Sequence, residues 1–148
     1  MSAVQNNLRE QMKTIPVNIE NGTAFYKHLF SAVPDLRKFF KGSESIDPNA
    51  VPQSERFHKQ GQRLLLSVHV CVETLHHPMV FQAYTREMIN KHRPFKLQYP
   101  HYEAFWPLFA QYVEKMNGGQ TAEQKAAWEK LAVEFNKEAK RYMAELGI

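Results

Sequence analysis

An all-α fold is what this sequence predicts, and three observations carry the prediction. Apolar residues recur at steps of three and four along most of the chain, the spacing that lines one face of an α-helix. Pro34, Pro78 and the run Asn117-Gly118-Gly119 punctuate these stretches where helices would begin or stop. No segment alternates apolar and polar residues over strand length between hairpin signals.

Between Pro16 and Pro34 an amphipathic segment carries Ile19, Phe25, Tyr26, Leu29 and Phe30. Pro34 then opens a short helical piece, "PDLRKFF", because a first-turn proline sacrifices no intrahelical hydrogen bond. Residues 41–52 read as a loop, with Gly42, two serines, Asp47 and two prolines. A long helix follows, striped by Phe57, Gly61, Leu64, Val68, Val72 and Leu75 and closed by His76-His77-Pro78. Pro78 opens the next helix, which carries Phe81, Tyr84, Met88 and His92 and stops before Pro94. The penultimate helix bears Tyr102, Phe105, Trp106, Phe109, Val113 and Met116, with Pro107 inside it as an expected kink. Thr121 and Gln124 form a capping box for the last, in which Trp128, Leu131, Phe135, Ala139, Tyr142 and Leu146 share a face. The expectation is a single domain over residues 1–148, with six to eight helices.

Composition narrows the function classes. With 43% hydrophobic and 23% charged residues, the 148-residue chain has the balance of a globular protein. Cys71 is the one cysteine, so neither an internal disulfide nor a cysteine-based zinc site is available, and a reducing compartment is expected. The N-terminal "MSAVQNNLREQMKT" lacks the apolar core of a signal peptide, and no apolar run is long enough to span a bilayer. A cytoplasmic protein without a membrane partner is the expectation. The net charge of +4 is spread among 15 acidic residues, with no basic run or nucleic-acid motif, which argues against nucleic acid as a partner.

Three polar residues stand out on apolar faces. His92 shares its face with Phe81, Tyr84 and Met88, and periodicity leaves a hydrogen-bonded core histidine and a metal ligand both open. Gln60 lies on the stripe of the long helix, with Leu64 one turn further on. Burying an amide without a partner costs about 1–3 kcal/mol, so a glutamine there needs one. Tyr26 can pack its ring inside, but its hydroxyl also needs a partner. An imidazole and two hydrogen-bonding groups on apolar faces ask for something polar among them.

The segments "FYKHLF", "PDLRKFFKG", "ERFHKQGQRLLL", "TREMINKHR" and "QKAAWEKLAVEFNKEA" resemble the globin family, in particular the myoglobin-like globins of nematodes, over nearly the whole chain. In that family a proline opens the short third helix and a phenylalanine six residues later packs on the haem; Pro34 and Phe40 match the pair. By the same pattern Gln60 takes the distal position and Tyr26 the distal tyrosine position of nematode globins, while His92 falls at the proximal histidine. Gly22 and Gly61 match the places where small residues let the second and fifth helices cross closely.

The resemblance implies haem b (iron protoporphyrin IX) as cofactor, with neutral His92 giving Nε2 to the iron. Its Nδ1–H would donate to a backbone carbonyl one turn back, near Met88. Globins often carry a serine or threonine just before this histidine; Lys91 stands there instead. Tyr26 and Gln60 would donate to bound dioxygen, each bond contributing about 0.5–1.5 kcal/mol, which implies high affinity through slow dissociation. Phe40 and Leu64 would wall the distal side, and Met88 would pack beneath the haem. Arg63 would reach a propionate, against the competing reading of a solvated surface arginine. Leu97 would touch the haem edge, the other contacts between Arg93 and Pro100 staying open. The remaining six histidines are not assigned to the iron.

The function so implied is reversible dioxygen binding for storage or transport, with nitric oxide and carbon monoxide as further ligands and the oligomeric state open. The alternatives are a haem enzyme (nitric oxide dioxygenase or weak peroxidase), a gas sensor, or a helical interaction module without haem. Gln60 lacks the acid–base chemistry of a peroxidase histidine. No reductase or signalling domain is evident in this sequence. An interaction module would leave Tyr26, Gln60 and His92 unexplained. An oxygen carrier rather than an enzyme is therefore expected.

Overall fold

The computed structural model describes residues 2–148 and contains helices but no strands among them. Six α-helices run in the order α1 (Ala3–Met12), α2 (Ile19–Ala32), α3 (Glu55–Thr74), α4 (Pro78–His92), α5 (Tyr99–Met116) and α6 (Ala122–Leu146). Tighter 3-10 turns cover Pro34–Phe39, Pro48–Gln53 and Arg93–Phe95. None of these helices is long and apolar enough to cross a membrane.

Helix boundaries follow local chemistry. Asn18 caps α2 by accepting from the Asn21 amide at 2.7 Å, and the helix stops at Ala32 because Val33, ahead of Pro34, is held out of the helical region. The Thr121 hydroxyl accepts from the Gln124 amide at 3.1 Å while the Gln124 side chain accepts from the Thr121 amide at 2.8 Å, completing the expected box. Pro78 occupies the first turn of α4. Pro94 ends that segment in the Arg93–Phe95 turn, after which Lys96 adopts a left-handed conformation with φ of 56°. Pro107 is exposed, so the backbone donor it removes from α5 is missing on the solvent side.

Two compact units divide the chain. The first joins Val70–Ile148 to the N-terminal residues through Thr14, and the second is Ile15–His69. In the first unit α6 packs against α1, α4 and α5. Trp106, Trp128 and Phe135 meet there, with ring centroids 5.4 Å apart for Trp106 and Phe135. Cys71 is buried, and burial pushes its thiol up to about 12, which makes it an unreactive packing residue.

Helix α1 was not apparent from periodicity, because glutamines occupy two of its buried positions. Gln5 is 0% and Gln11 3% exposed. Gln5 Nε2 donates to the Val72 and Glu73 carbonyls at 3.0 and 2.9 Å, and Gln11 Oε1 accepts from Trp128 Nε1 at 3.0 Å. A buried amide that finds partners costs far less than an orphaned one, so these positions escape the hydrophobic pattern. The segment 41–52 likewise holds more structure than a loop. Asp47 caps the Pro48–Gln53 turn, and Val51 is fully buried against the α2 side of its unit.

In the Ile15–His69 unit, α2 and α3 cross at Gly22 and Gly61. A Cβ placed on Gly22 would lie 2.5 Å from the Gly61 carbonyl carbon, and one on Gly61 would lie 2.6 Å from the Gly22 Cα. Backbone meets backbone, so only glycine fits at either place.

Candidate functional site

Tyr26 and Gln60 come together inside the Ile15–His69 unit because the glycine crossing lies directly beside them. Gly61 follows Gln60, and Gly22 precedes Tyr26 by one turn. Gln60 Nε2 donates to the Tyr26 hydroxyl at 3.1 Å. The Tyr26 residue is 2% exposed, its ring surrounded by Phe25, Phe30, Phe40 and Phe57 at centroid distances between 5.2 and 5.7 Å. Phe25 and Phe40 meet the ring edge-on while Phe30 and Phe57 lie tilted against it, and together they fix the ring plane and so aim the hydroxyl. Burial pushes the Tyr26 phenol up to about 12, against the opposing pull of the Gln60 hydrogen bond and the Arg63 charge. The hydroxyl therefore stays protonated at neutral pH, as a donor must.

Arg63 lies one turn after Gln60 and is exposed, and its Nη2 donates to Gln60 Oε1 at 3.1 Å. Leu64 is half-buried, whereas its neighbour Leu65 is fully buried, so the core stripe of α3 runs through Leu65 rather than Leu64 as periodicity suggested. Phe40 is half-buried at the end of the Pro34–Phe39 turn. Its ring meets Tyr26 edge-on at 5.5 Å, and the Arg56 guanidinium stands 5.8 Å from its centroid. Arg56 also donates to the Lys41 carbonyl and, at 3.1 Å, to Ser43 Oγ, tying down the chain just after Phe40.

In the other unit the fully inward face of α4 is Phe81, Thr85 and Ile89. Tyr84, Met88 and His92 form the adjacent, half-buried face, so His92 does not belong to the core, as its spacing from Phe81 had suggested. His92 Nδ1 lies 2.6 Å from the Met88 carbonyl oxygen. A carbonyl only accepts, so Nδ1 carries the proton, and in the neutral ring Nε2 keeps its lone pair. Phe95 and Tyr102 stand at the imidazole, with centroids 6.3 and 6.0 Å away and Tyr102 nearly perpendicular to it. Burial pushes the Tyr102 phenol up to about 12, leaving it neutral. Leu97 is half-buried just beyond Lys96.

Sequence reasoning did not single out Phe95 and Tyr102 as neighbours of His92, Phe57 as a neighbour of Tyr26, or Arg56 as a neighbour of Phe40. Phe95 is three residues beyond His92, and that proximity is its only signal in the sequence; its 53% exposure is seen only in the structure. Tyr102 and Phe57 looked like ordinary stripe residues, and their contacts with His92 and Tyr26 come from tertiary packing. Other histidines are engaged elsewhere. His58 Nε2 meets the Pro52 carbonyl at 2.8 Å, His69 Nε2 the Ile15 carbonyl at 3.0 Å, and His101 Nδ1 accepts from the Gln98 amide at 2.9 Å. Among the described residues no group of three or more histidine, cysteine, aspartate or glutamate side chains could hold a bare metal ion.

Comparison with known proteins agrees with the expectation from sequence. A sequence model of the globin family matches residues 23–139. A globin-like protein of Caenorhabditis elegans is 44% identical over 126 residues, covering 85% of this chain and 79% of its own length. A myoglobin of Nippostrongylus brasiliensis is 38% identical over 152 aligned positions, covering 100% of this chain and 98% of its own. The crystal structure of a C. elegans globin-like protein superposes with a TM-score of 0.94 at 37% identity, covering 98% of this chain and 94% of the other. With an all-α architecture that matches theirs, the chain belongs to the globin family, whose members bind dioxygen on haem.

Proposed function

We propose that this protein binds dioxygen reversibly and tightly on one haem b, held through His92 Nε2, as an oxygen store or carrier of the cytoplasm. The observation that carries the reading is the state of His92. Its Nδ1–H is committed to the Met88 carbonyl at 2.6 Å, which orients the ring and leaves Nε2 as an uncommitted donor atom on a half-buried helix face. Haem, when bound, would supply a ferrous iron able to take up a diatomic gas.

The residues present suit that group. Met88, Leu97, Phe40 and Leu64 are apolar side chains left half-buried, as side chains that would pack on a flat apolar macrocycle are. Phe95, more exposed still, belongs to the same set. Phe95 and Tyr102 hold the His92 ring plane through edge contacts.

Tyr26 and Gln60 act on the gas. The Tyr26 hydroxyl accepts from Gln60, so its own proton remains to be donated, and the second N–H of Gln60 is likewise uncommitted to Tyr26. Two such bonds at about 0.5–1.5 kcal/mol each slow dioxygen loss by roughly ten- to a hundredfold relative to an apolar pocket. Carbon monoxide, less polarised, gains less. Carriage is favoured over peroxidase chemistry, because the imidazole nearest Gln60 in sequence, His58, is tied to the Pro52 carbonyl and Gln60 itself cannot shuttle a proton.

The test is the absorption spectrum of the purified protein, with and without carbon monoxide, followed by stopped-flow dioxygen release. A haem band that shifts with carbon monoxide, and slow release, are expected. A protein that takes up no haem, or one that loses dioxygen as fast as an apolar pocket would, overturns the reading.

A further inference from the structure

The amide of Gln60 can point in either of two ways, and which way it points decides what Tyr26 can do. With Nε2 toward Tyr26, the phenol oxygen accepts and the phenol proton is free for a third group. With Oε1 toward Tyr26, the amide accepts that proton and Tyr26 has nothing left to donate. The two orientations are nearly identical in shape, so packing alone does not choose between them.

Arg63 makes the choice. A guanidinium carries only donors, so its Nη2, 3.1 Å from the Gln60 side chain, can face only Oε1. With Oε1 held there, Nε2 is left facing the Tyr26 hydroxyl, as found at 3.1 Å. We infer that Arg63 is a positioning residue that acts through Gln60, fixing the amide so that the Tyr26 O–H remains a donor to the gas. This inference rests on the reading of Tyr26 as that donor.

The electrostatics run the same way. The positive charge of Arg63 and the Gln60 hydrogen bond both draw on the Tyr26 phenol, opposing the effect of burial. That pull makes the phenol a better donor than burial alone would leave it, and hydrogen bonds in series reinforce one another. Arg63 is exposed and Gln60 half-buried, while Tyr26 is buried, so the chain runs from the surface to the interior. A flexible arginine on the surface thereby sets the state of an interior tyrosine without touching it.

The test is a double-mutant cycle on the haem-loaded protein, read by dioxygen dissociation and by the infrared C–O stretch of the carbon monoxide complex. Arg63→Leu removes the donor and the charge, and Arg63→Lys returns both on a side chain of similar reach. Arg63→Leu is expected to speed dioxygen loss about three- to tenfold and shift the C–O stretch toward that of an apolar pocket. Arg63→Lys should recover most of both. In a Tyr26→Phe background Arg63→Leu should add no further change. The Gln60 side-chain amide resonances of the diamagnetic carbon monoxide complex should move in Arg63→Leu and return in Arg63→Lys.

Unchanged dioxygen loss in Arg63→Leu overturns the inference. So does an effect of equal size in the Tyr26→Phe background, because Arg63 would then be acting independently of Tyr26. If Tyr26→Phe alone leaves dioxygen loss unchanged while haem is bound, the fault lies in the donor role of Tyr26 and not in the link from Arg63.

Discussion

His92 Nδ1 donates to the Met88 carbonyl across 2.6 Å, one turn back along the same helix. That bond does two jobs at once. It uses the carbonyl of Met88 as an anchor, and it fixes which ring nitrogen remains basic. Lys91 supplies no hydroxyl to share this duty, so the backbone carbonyl, with the edges of Phe95 and Tyr102, holds the ring. His92→Gly is expected to abolish stable haem uptake, and millimolar imidazole should restore a haem spectrum by filling the gap. Haem retained at wild-type affinity in the variant would show that His92 is not the ligand.

Tyr26→Phe is the informative change at the distal tyrosine. The ring sits among four phenylalanines, and a phenylalanine keeps that packing while deleting only the hydroxyl. A leucine would also leave a gap in the cluster and mix two effects. Dioxygen loss should rise roughly tenfold in Tyr26→Phe, with carbon monoxide release much less affected. Equal changes for the two gases would point to altered access rather than a lost hydrogen bond.

Much of this was legible in the sequence, and the misses share a cause. Helices α2 to α6 announced themselves through apolar spacing, first-turn prolines and the Thr121–Gln124 box, all of which are local signals. Helix α1 stayed hidden because Gln5 and Gln11 are buried with partners supplied from 60 to 120 residues away. Spacing also placed Leu64 and His92 on core faces, when both lie one position beside the core stripe and are half-buried. A periodic pattern marks which side of a helix is apolar, but it does not separate core from the lining of a ligand site. The pairing of Gln60 with Tyr26 needed the resemblance to bring the two segments together, and the link to Arg63 needed coordinates.

Gly61→Ala should destabilise the protein, reversing the usual sign of such a change. In an ordinary helix interior, alanine gains about 0.5–1 kcal/mol over glycine. Here the new methyl would stand 2.5–2.7 Å from the Gly22 backbone, which cannot rotate aside. Overpacking of this kind costs typically 1–3 kcal/mol. Because Gln60 is adjacent and Tyr26 is one turn from Gly22, parting the helices should also lengthen the Gln60–Tyr26 bond and speed dioxygen loss. A urea midpoint equal to or above that of the unmodified protein would show that the crossing has room to spare.

Glu138 offers a pH test that is independent of haem. It is 4% exposed, and its carboxylate accepts from Arg86 Nε at 2.7 Å and pairs with Arg141 Nη2 at 2.7 Å. Burial alone would push the carboxyl up, but the two guanidiniums outweigh it and hold the group below its ordinary value of 4.5. A carboxyl whose folded value is depressed binds its proton more readily when unfolded. Its contribution to stability is therefore complete above about 4.5 and is lost as pH falls through the lower, folded value. Glu138→Gln keeps the shape but removes the charge, leaving Arg86 with Glu145 as its remaining acidic partner. The variant should lose about 1–3 kcal/mol at pH 7, read as a lower urea midpoint. That deficit should shrink steadily as both proteins are titrated below pH 4.5, since the native carboxyl then takes up a proton and approaches the amide in charge. A deficit that stayed constant down to pH 3 would assign the loss to packing instead of to the ion pairs.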